Sequence, residues 1–377
     1  MIYADHAATT KLSPRALKAM MPFLTEEYGN ASSLYAPGRR ARRAVDRARE
    51  AVAACVGALP GEIYFTACGT ESDNWAIRAA AEAGPGDGLF VTTAVEHHAV
   101  LRTFEALRRS GRRTEILGVD GCGRLSPETL RQAVGNRAAF VSVMAANNEV
   151  GTLMPLAELA ELAHGAGALF HTDAVQALGH VPLDVSALGV DMMSFSAHKF
   201  GGPKGVGGLY VRKGVPLPPG LYGGGQEHGL RSGTENVAGI VGMAAALEES
   251  CGGMSETAAR VAALRDRLTA GILKLPAARL TGDPAERLPG TASFVFGGVE
   301  GEALVLLLDQ RGICASSGSA CSAGALEPSH VLLAMGFSPD EAQGALRLSL
   351  GPENTQEEID EILRVLPEEL RRLRNEG

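Results

Sequence analysis

The chain has 377 residues, enough for two domains around a large buried core. Hydrophobic residues make up 45%, charged residues 21%, and the formal net charge is −8, which excludes a disordered tail protein and argues against a phosphate-tracking nucleic-acid binder. No apolar run approaches the ~18 residues of a membrane-spanning helix, and the 47 glycines lack the period of collagen.

Six cysteines are too few for a disulfide-built secreted domain. The start Met1-Ile2-Tyr3-Ala4-Asp5-His6 has neither the basic nor the apolar region of a signal peptide. A cytoplasmic setting with free thiols is expected.

Ser13-Pro14 opens the first helix. The segment Arg39–Arg49 carries six arginines on a helical pattern. It presents either a solvated face or a docking face for an acidic partner. Short apolar runs then alternate with helices: strands are expected at 63–66, 89–92, 114–117, 139–143, 169–172, 192–196 and 208–211. Helices start at Ser126-Pro127 and over 155–164. Such alternation implies a mostly parallel sheet covered on both faces, with its chemistry at the carboxyl ends of the strands. A helix over 236–247 precedes a hinge at Glu249-Ser250-Cys251-Gly252-Gly253. The remainder, with helices at 255–275 and 354–374 and a strand at 345–350, reads as a smaller α+β domain.

Five segments carry candidate chemistry. Ser196-Ala197-His198-Lys199 ends a strand before a glycine-rich loop, so Lys199 is either an exposed cation or a Schiff-base lysine beside phosphate-binding groups. Asp173 ends the strand before it, placed to pair with a protonated pyridine nitrogen or to cap a helix. Cys68-Gly69-Thr70 is a strand–glycine–helix junction, a phosphate cradle or a plain helix start. Glu96-His97-His98 offers a ring-stacking or proton-moving histidine, or a structural one. Cys314-Ala315-Ser316-Ser317-Gly318-Ser319-Ala320-Cys321 is a run of small residues with little to bury, a loop setting that suits a redox-capable thiol. Cys55 and Cys251 read as structural. No dinucleotide fingerprint, Walker sequence, G-x-S-x-G, H-E-x-x-H or C-x-x-C pair is present, and no metal site is expected.

In this order, from Asp5-His6-Ala7-Ala8-Thr9-Thr10 to Arg347-Leu348-Ser349-Leu350-Gly351, the segments resemble the cysteine desulfurases, in the class with a long catalytic loop. The resemblance implies an α/β fold: the aminotransferase-like fold type I of pyridoxal-phosphate (PLP) enzymes. Residues 13–250 would form a large cofactor domain; 1–12 and 251–377 would form a small domain carrying the cysteine loop, about 312–326. Pyridoxal 5'-phosphate would be held by Lys199 as a Schiff base, with Asp173 on the ring nitrogen, Gln176 on the phenolic oxygen, and His97 stacked on the ring. Gly69, Thr70, Ser196 and His198 would hold the phosphate, Asn148 would sit beside the ring, and Thr234 would reach across a homodimer interface. Arg347, assisted by Asn30, would clamp the carboxylate of L-cysteine.

The implied activity is sulfur removal from L-cysteine. Lys199 moves the α-proton, Cys321 takes the sulfur as a persulfide, and alanine leaves. Sulfur would pass to an acceptor protein, such as an iron–sulfur scaffold, for cluster or thio-cofactor assembly, with any metal contact by Cys321 only transient. Neither nucleic acid nor membrane is an expected partner. Selenocysteine lyase, or another PLP lyase or aminotransferase, is the alternative. Departures from the family pattern at His6-Ala7, Ala31, Cys68 and Ala197 are small. The chain ends at Gly377 without the tail by which some relatives dock a scaffold, so the acceptor stays open. Cys314 is either inert or an exchange partner of Cys321.

Overall fold

The computed structural model describes residues 1–135, 138–318 and 328–374. Twelve strands occur among them: β1 Ile2–Tyr3, β2 Ile63–Thr66, β3 Leu89–Thr93, β4 Arg113–Leu117, β5 Ala138–Ser142, β6 Leu169–Asp173, β7 Met192–Ser196, β8 Gly207–Val211, β9 Ala278–Thr281, β10 Thr291–Phe296, β11 Ile313–Cys314 and β12 Ala345–Ser349.

Seven form one sheet in the order β2-β8-β7-β6-β5-β3-β4. From β7 through β4 the neighbours are parallel, and only β8 runs against β2 and β7. The parallel strands β3, β5, β6 and β7 are buried on both faces because helices cover both. Phe90, Phe140, Phe170 and Phe195 are fully buried there. The expected mostly parallel sheet is thus present, with boundaries shifted by a residue at most. Among the described residues no helix is long and apolar enough to cross a membrane.

A second buried cluster lies around the antiparallel sheet β12-β10-β9, which packs on the helices Met254–Ile272 and Gln356–Leu373. Thr355 caps the latter through a capping box with Glu358, and Ile359, Ile362, Val365, Leu366 and Leu370 form its buried stripe. The chain start joins this region: β1 pairs in parallel with β11, and Asp5 bridges to Ser349.

Two expectations change. The hinge at 249–253 lies almost wholly inside the helix Val237–Gly252, and only Gly253 separates it from the next helix. Glu249, Ser250 and Cys251 extend the helix because Ser250 turns its hydroxyl onto the Phe200 carbonyl at 3.1 Å, fixing the last turn against the large domain. The arginine-rich helix Ala36–Val56 is also not one solvated face. Arg39, Arg40, Arg43 and Arg47 are exposed, but Arg49 is buried and forks onto Glu227 at 2.6 and 2.8 Å while lying over Phe65. That ion pair pins the Gly223–Gly229 segment, where Glu227 and His228 both have positive φ (47° and 60°).

Candidate active site

The carboxyl ends of β5, β6 and β7 open into a cleft of about 290 Å³. Its walls carry Gly69, Thr70, His97, Asn148, Asp173, Gln176, Ser196, His198, Lys199 and Arg347. Each arrives there for a local reason. Asp173 and Ser196 are the last residues of β6 and β7, and Lys199 ends the short turn Ala197–Lys199 that follows β7. His97 caps the helix His98–Arg109, its Nδ1 accepting from the Ala99 N–H at 3.1 Å. Arg347 sits mid-strand in β12, where Ser316 brackets it by paired backbone hydrogen bonds of 2.7 and 3.1 Å.

The anion cradle is built from main chain. Gly69 and Thr70 open a helix that runs to Ala83, and Cys68 at its N-cap offers no side-chain acceptor. The first-turn N–H groups therefore keep their affinity for an anion, backed by the helix dipole. A Cβ on Gly69 would strike Val175 Cγ2 at 2.5 Å, so glycine is required for this approach. His198 beside it is pushed down to about 4 by burial and by Lys199 and Lys204, so near pH 7 it is a neutral hydrogen-bonding imidazole.

At the other end of the cleft Asp173 Oδ1 accepts from the Val175 N–H at 2.9 Å. Burial raises its carboxyl, while His97, the Val175 N–H and Lys199 draw it back down. Behind it lies a buried polar chain. Ser142 Oγ meets His171 Nδ1 at 2.8 Å, His171 Nε2 meets Ser194 Oγ at 2.9 Å, and Asp73 Oδ1 stands 3.7 Å from His171 Nε2. Burial drives His171 down to about 3, so it stays neutral. Asp73 is raised well above the carboxylate range by burial and by the charge of Asp173. Burial raises both carboxyls, and Asp173 is the one that faces cationic partners, His97 and Lys199, at the cleft.

The donor set fits a pyridoxal phosphate: an anion cradle, an aspartate suited to a pyridinium nitrogen, a histidine and a lysine. Lys199 Nζ donates to the main-chain carbonyls of Ala7 and, at 3.0 Å, Ala8. Gln176 Nε2 donates to the same Ala7 carbonyl at 2.8 Å. Arg347 is 3% exposed; it donates to the Asn148 carbonyl at 2.8 Å and to Asp5 Oδ1 at 2.9 Å. Its guanidinium thus stands ready beside the lysine with its plane fixed.

Thr234 and Asn30 do not line this cleft; both are exposed, and Asn30 Oδ1 instead accepts from the Ser32 N–H. Cys321 lies outside the described residues, as do Ser319 and Ala320. Cys314 does not line the cleft either, and burial with Asp309 and Asp5 raises its thiol, which disfavours the thiolate. Sequence reasoning missed Ala7, Ala8, Asp73 and Asp5. The first two act through carbonyl groups that any residue type supplies. Asp73 and Asp5 look like ordinary polar positions until the fold brings them to Asp173 and Arg347.

Glu96 is another group that sequence reasoning did not assign. It is fully buried, with Oε1 accepting from Thr93 Oγ1 at 2.7 Å and the Met144 N–H at 2.9 Å, and Oε2 has no partner. Burial, with Asp173, pushes its carboxyl up to about 8. A raised folded value means that folding binds a proton, so this group's stability contribution is full below about 4.5 and is lost as pH rises toward 8. At about 1.4 kcal/mol for each pH unit between the two values, several kcal/mol are involved. Glu96→Gln is expected to remove this slope, becoming progressively more stable than wild type from pH 5 to 9 in urea unfolding. A gap that shrinks with pH would contradict the assignment.

The aminotransferase class-V family model matches residues 2–362. A cysteine desulfurase of Cereibacter sphaeroides is 53% identical over 97% of this chain and 95% of its own length. The cysteine desulfurase IscS of Methanosarcina thermophila is 47% identical over 99% of this chain and 93% of its own. A solved NifS-like protein superposes with a TM-score of 0.93 at 42% identity, covering 98% of this chain and 99% of that one.

Proposed function

This chain belongs to the class-V aminotransferase family, and we propose that within it the protein is a cysteine desulfurase that takes sulfur from L-cysteine onto Cys321. The observation that carries the reading is the placing of Arg347, Lys199 and Asp173 on one cleft with an anion cradle at its far end. The cofactor of this family, pyridoxal 5'-phosphate, supplies an electron sink for the charge left when a proton leaves the substrate Cα.

The chain's own groups do the rest. The first-turn N–H groups at Gly69 and Thr70, with Ser196 and His198, would hold the phosphate, and Asp173 would hold the pyridine N–H. Arg347 would take the substrate carboxylate through two parallel N–H donors, a geometry lysine lacks. Its links to Asp5 and Asn148 restrict its rotamer and so fix where the substrate Cα stands. Lys199 Nζ, held on the Ala7 and Ala8 carbonyls, would take the α-proton, with His97 the second proton carrier in reach of the cleft. The Cys321 thiolate would then attack the substrate sulfur. One S–S bond forms and the Cβ–S bond breaks; the sulfur is oxidised, Cβ is reduced and picks up a proton, and alanine leaves. The step is balanced without an outside oxidant.

The sulfur would pass to an acceptor protein of iron–sulfur or thio-cofactor assembly, in the cytoplasm. A homodimer belongs to the same reading. Thr234 is exposed and away from its own chain's cleft, and Arg231 ties its segment to Glu71, one residue beyond Thr70, at 2.7 Å. A second copy would place Thr234 on the partner's phosphate.

Purified protein reconstituted with pyridoxal phosphate is expected to be yellow and to convert L-cysteine to alanine and, with a thiol reductant, equimolar sulfide. Failure to bind the cofactor, or alanine without sulfide, would overturn the reading. Selenide release from selenocysteine with no turnover of cysteine would favour the lyase.

A further inference from the structure

Arg287 is 5% exposed and has no place in the chemistry described above. Among the described residues no carboxylate lies within ion-pair distance of its guanidinium. Instead Nη2 donates to two main-chain carbonyls, that of Val150 at 3.1 Å and that of Thr281 at 2.5 Å, while Nε is buried without a partner. Burial and the nearby Arg265 lower its pKa to about 10, so it remains a cation near neutral pH. A buried cation without a counter-charge is costly, and an apolar side chain could fill the same space. The two carbonyls are therefore the feature to explain.

They belong to different parts of the fold. Thr281 ends β9 in the three-stranded sheet, and Val150 lies in the segment that follows β5 of the seven-stranded sheet. Main-chain bonds continue the join. Thr152 pairs with Arg287 in an isolated antiparallel bridge, and the Leu153 N–H donates to the Glu286 carbonyl and the Leu288 N–H to the Gly151 carbonyl, both at 2.9 Å. Thr152 Oγ1 also accepts from the Asp283 N–H at 2.9 Å. The segment so gripped is tight: Asn147 Oδ1 accepts from the N–H groups of Glu149 and Val150 at 2.8 and 2.9 Å, and the Asn147 carbonyl accepts from the Gly151 N–H at 3.0 Å. Asn148, inside this turn, lines the cleft and gives its carbonyl to Arg347 Nη1 at 2.8 Å. Arg347 is joined back to Arg287 through the sheet, because its register partner is Ser293 of β10, the strand that follows Arg287. The contacts close a ring from Arg287 through the Asn148 turn, Arg347 and β10.

We propose that Arg287 is a positioning residue for substrate recognition: by clasping the Val150 and Thr281 carbonyls it fixes the turn that presents the Asn148 carbonyl, and so sets the plane in which Arg347 receives the substrate carboxylate. The inference rests on the reading above, in which Arg347 takes that carboxylate. A guanidinium that must offer two parallel donors to a carboxylate depends on its plane as well as its position. Asn148 holds one edge of that plane, and Arg287 holds the turn that carries Asn148. The role is confined to the carboxylate end of the cleft, since the anion cradle, Asp173 and Lys199 stand on other elements.

The test uses reconstituted full-length protein and the variants Arg287→Met, Arg287→Lys and Thr152→Val. Aminooxyacetate and hydroxylamine both bleach the bound cofactor through the same aminooxy nitrogen, and only the first carries a carboxylate. Wild type is expected to react faster with aminooxyacetate. Arg287→Met should slow that reaction by about 10-fold, leave hydroxylamine within about twofold, and raise KM for L-cysteine by about 10-fold with a smaller fall in kcat, the pattern of lost carboxylate binding. Arg287→Lys keeps the cation and its N–H donors and should recover most of the preference. Thr152→Val removes only the Asp283 tie of the same clasp and should show the same pattern at a few-fold, which decides the matter if Arg287→Met does not fold. Equal slowing of both reagents, or no change in either, would overturn the proposal. A wild type without the carboxylate preference would overturn it together with the role of Arg347. A wild type that keeps the preference but makes no alanine from L-cysteine would sink the desulfurase reading alone.

Discussion

Lys199→Ala is expected to leave a folded protein without the yellow of the wild-type enzyme and with alanine formation reduced by about 10³-fold or more, given that positioned proton transfer alone contributes 10²–10⁴-fold. The lysine stands at the carboxyl end of β7, and its side chain is not part of the core, so its loss should cost little stability. Its amine is held by the carbonyls of Ala7 and Ala8, two acceptors that carry no charge. Asp173 and Arg347 stand on the same cleft wall as this nitrogen. Lys199→Arg is the sharper companion. It keeps a cation at the same place but cannot lose its proton in a protein, so it should be as inactive as the alanine variant. If the arginine variant keeps substantial activity, the lysine acts only as a charge. If the alanine variant retains more than about a tenth of wild-type turnover, His97 carries the proton instead. Absorbance spectra and kcat for both variants, recorded beside wild type, distinguish these cases.

How far the cleft was legible in the sequence depends on which kind of contact builds it. Asp173, Ser196 and Lys199 follow apolar β runs, and the rule that open parallel sheets carry their sites at strand ends points straight to them. Gly69 and Thr70 announce themselves as a strand–glycine–helix junction. The helix starts at Ser13, Ser126 and Thr355 are equally local signals, written in capping residues that need no tertiary partner. What stayed hidden is what the fold alone brings together. The carbonyls of Ala7 and Ala8 reach Lys199 from the opposite end of the chain. Glu227 meets Arg49 across 178 residues, turning part of an apparently solvated arginine run into core. Strands β1 and β11, two residues each, are too short to show any alternation. Glu149 and Ser329 stand in segments of the family pattern, Asn147-Asn148-Glu149 and Leu326-Glu327-Pro328-Ser329-His330, but that one lies beside the other is visible only in the fold. Thr234 and Asn30 were assigned only by resemblance, and in a single chain neither lines the cleft.

Cys321→Ala should separate the lysine's work from the cysteine's. The expected protein is as yellow as wild type, binds L-cysteine with a similar KM, and makes alanine and sulfide about 10³-fold more slowly or worse, as when an enzyme loses its nucleophile. Cys55 and Cys251 are half-buried on the facing helices Ala36–Val56 and Val237–Gly252, where the hydrogen bond between them raises the Cys55 thiol and lowers that of Cys251, and neither lines the cleft. Cys122 is raised by burial and by Asp120 and Asp283, and Cys314 by burial, Asp309 and Asp5. The one rival is Cys68, which lines the cleft at the head of the phosphate cradle. It is fixed there by the helix it begins, so a sulfur it accepted would stay beside the cofactor phosphate and could not be handed to a protein outside. Cys68→Ala is therefore expected to retain turnover, and tryptic mass mapping after one turnover should find the added sulfur on the Cys321 peptide alone. Sulfur on the Cys68 peptide, or undiminished sulfide release from Cys321→Ala, would move the nucleophile into the cradle and require the acceptor to be a small molecule able to enter the cleft.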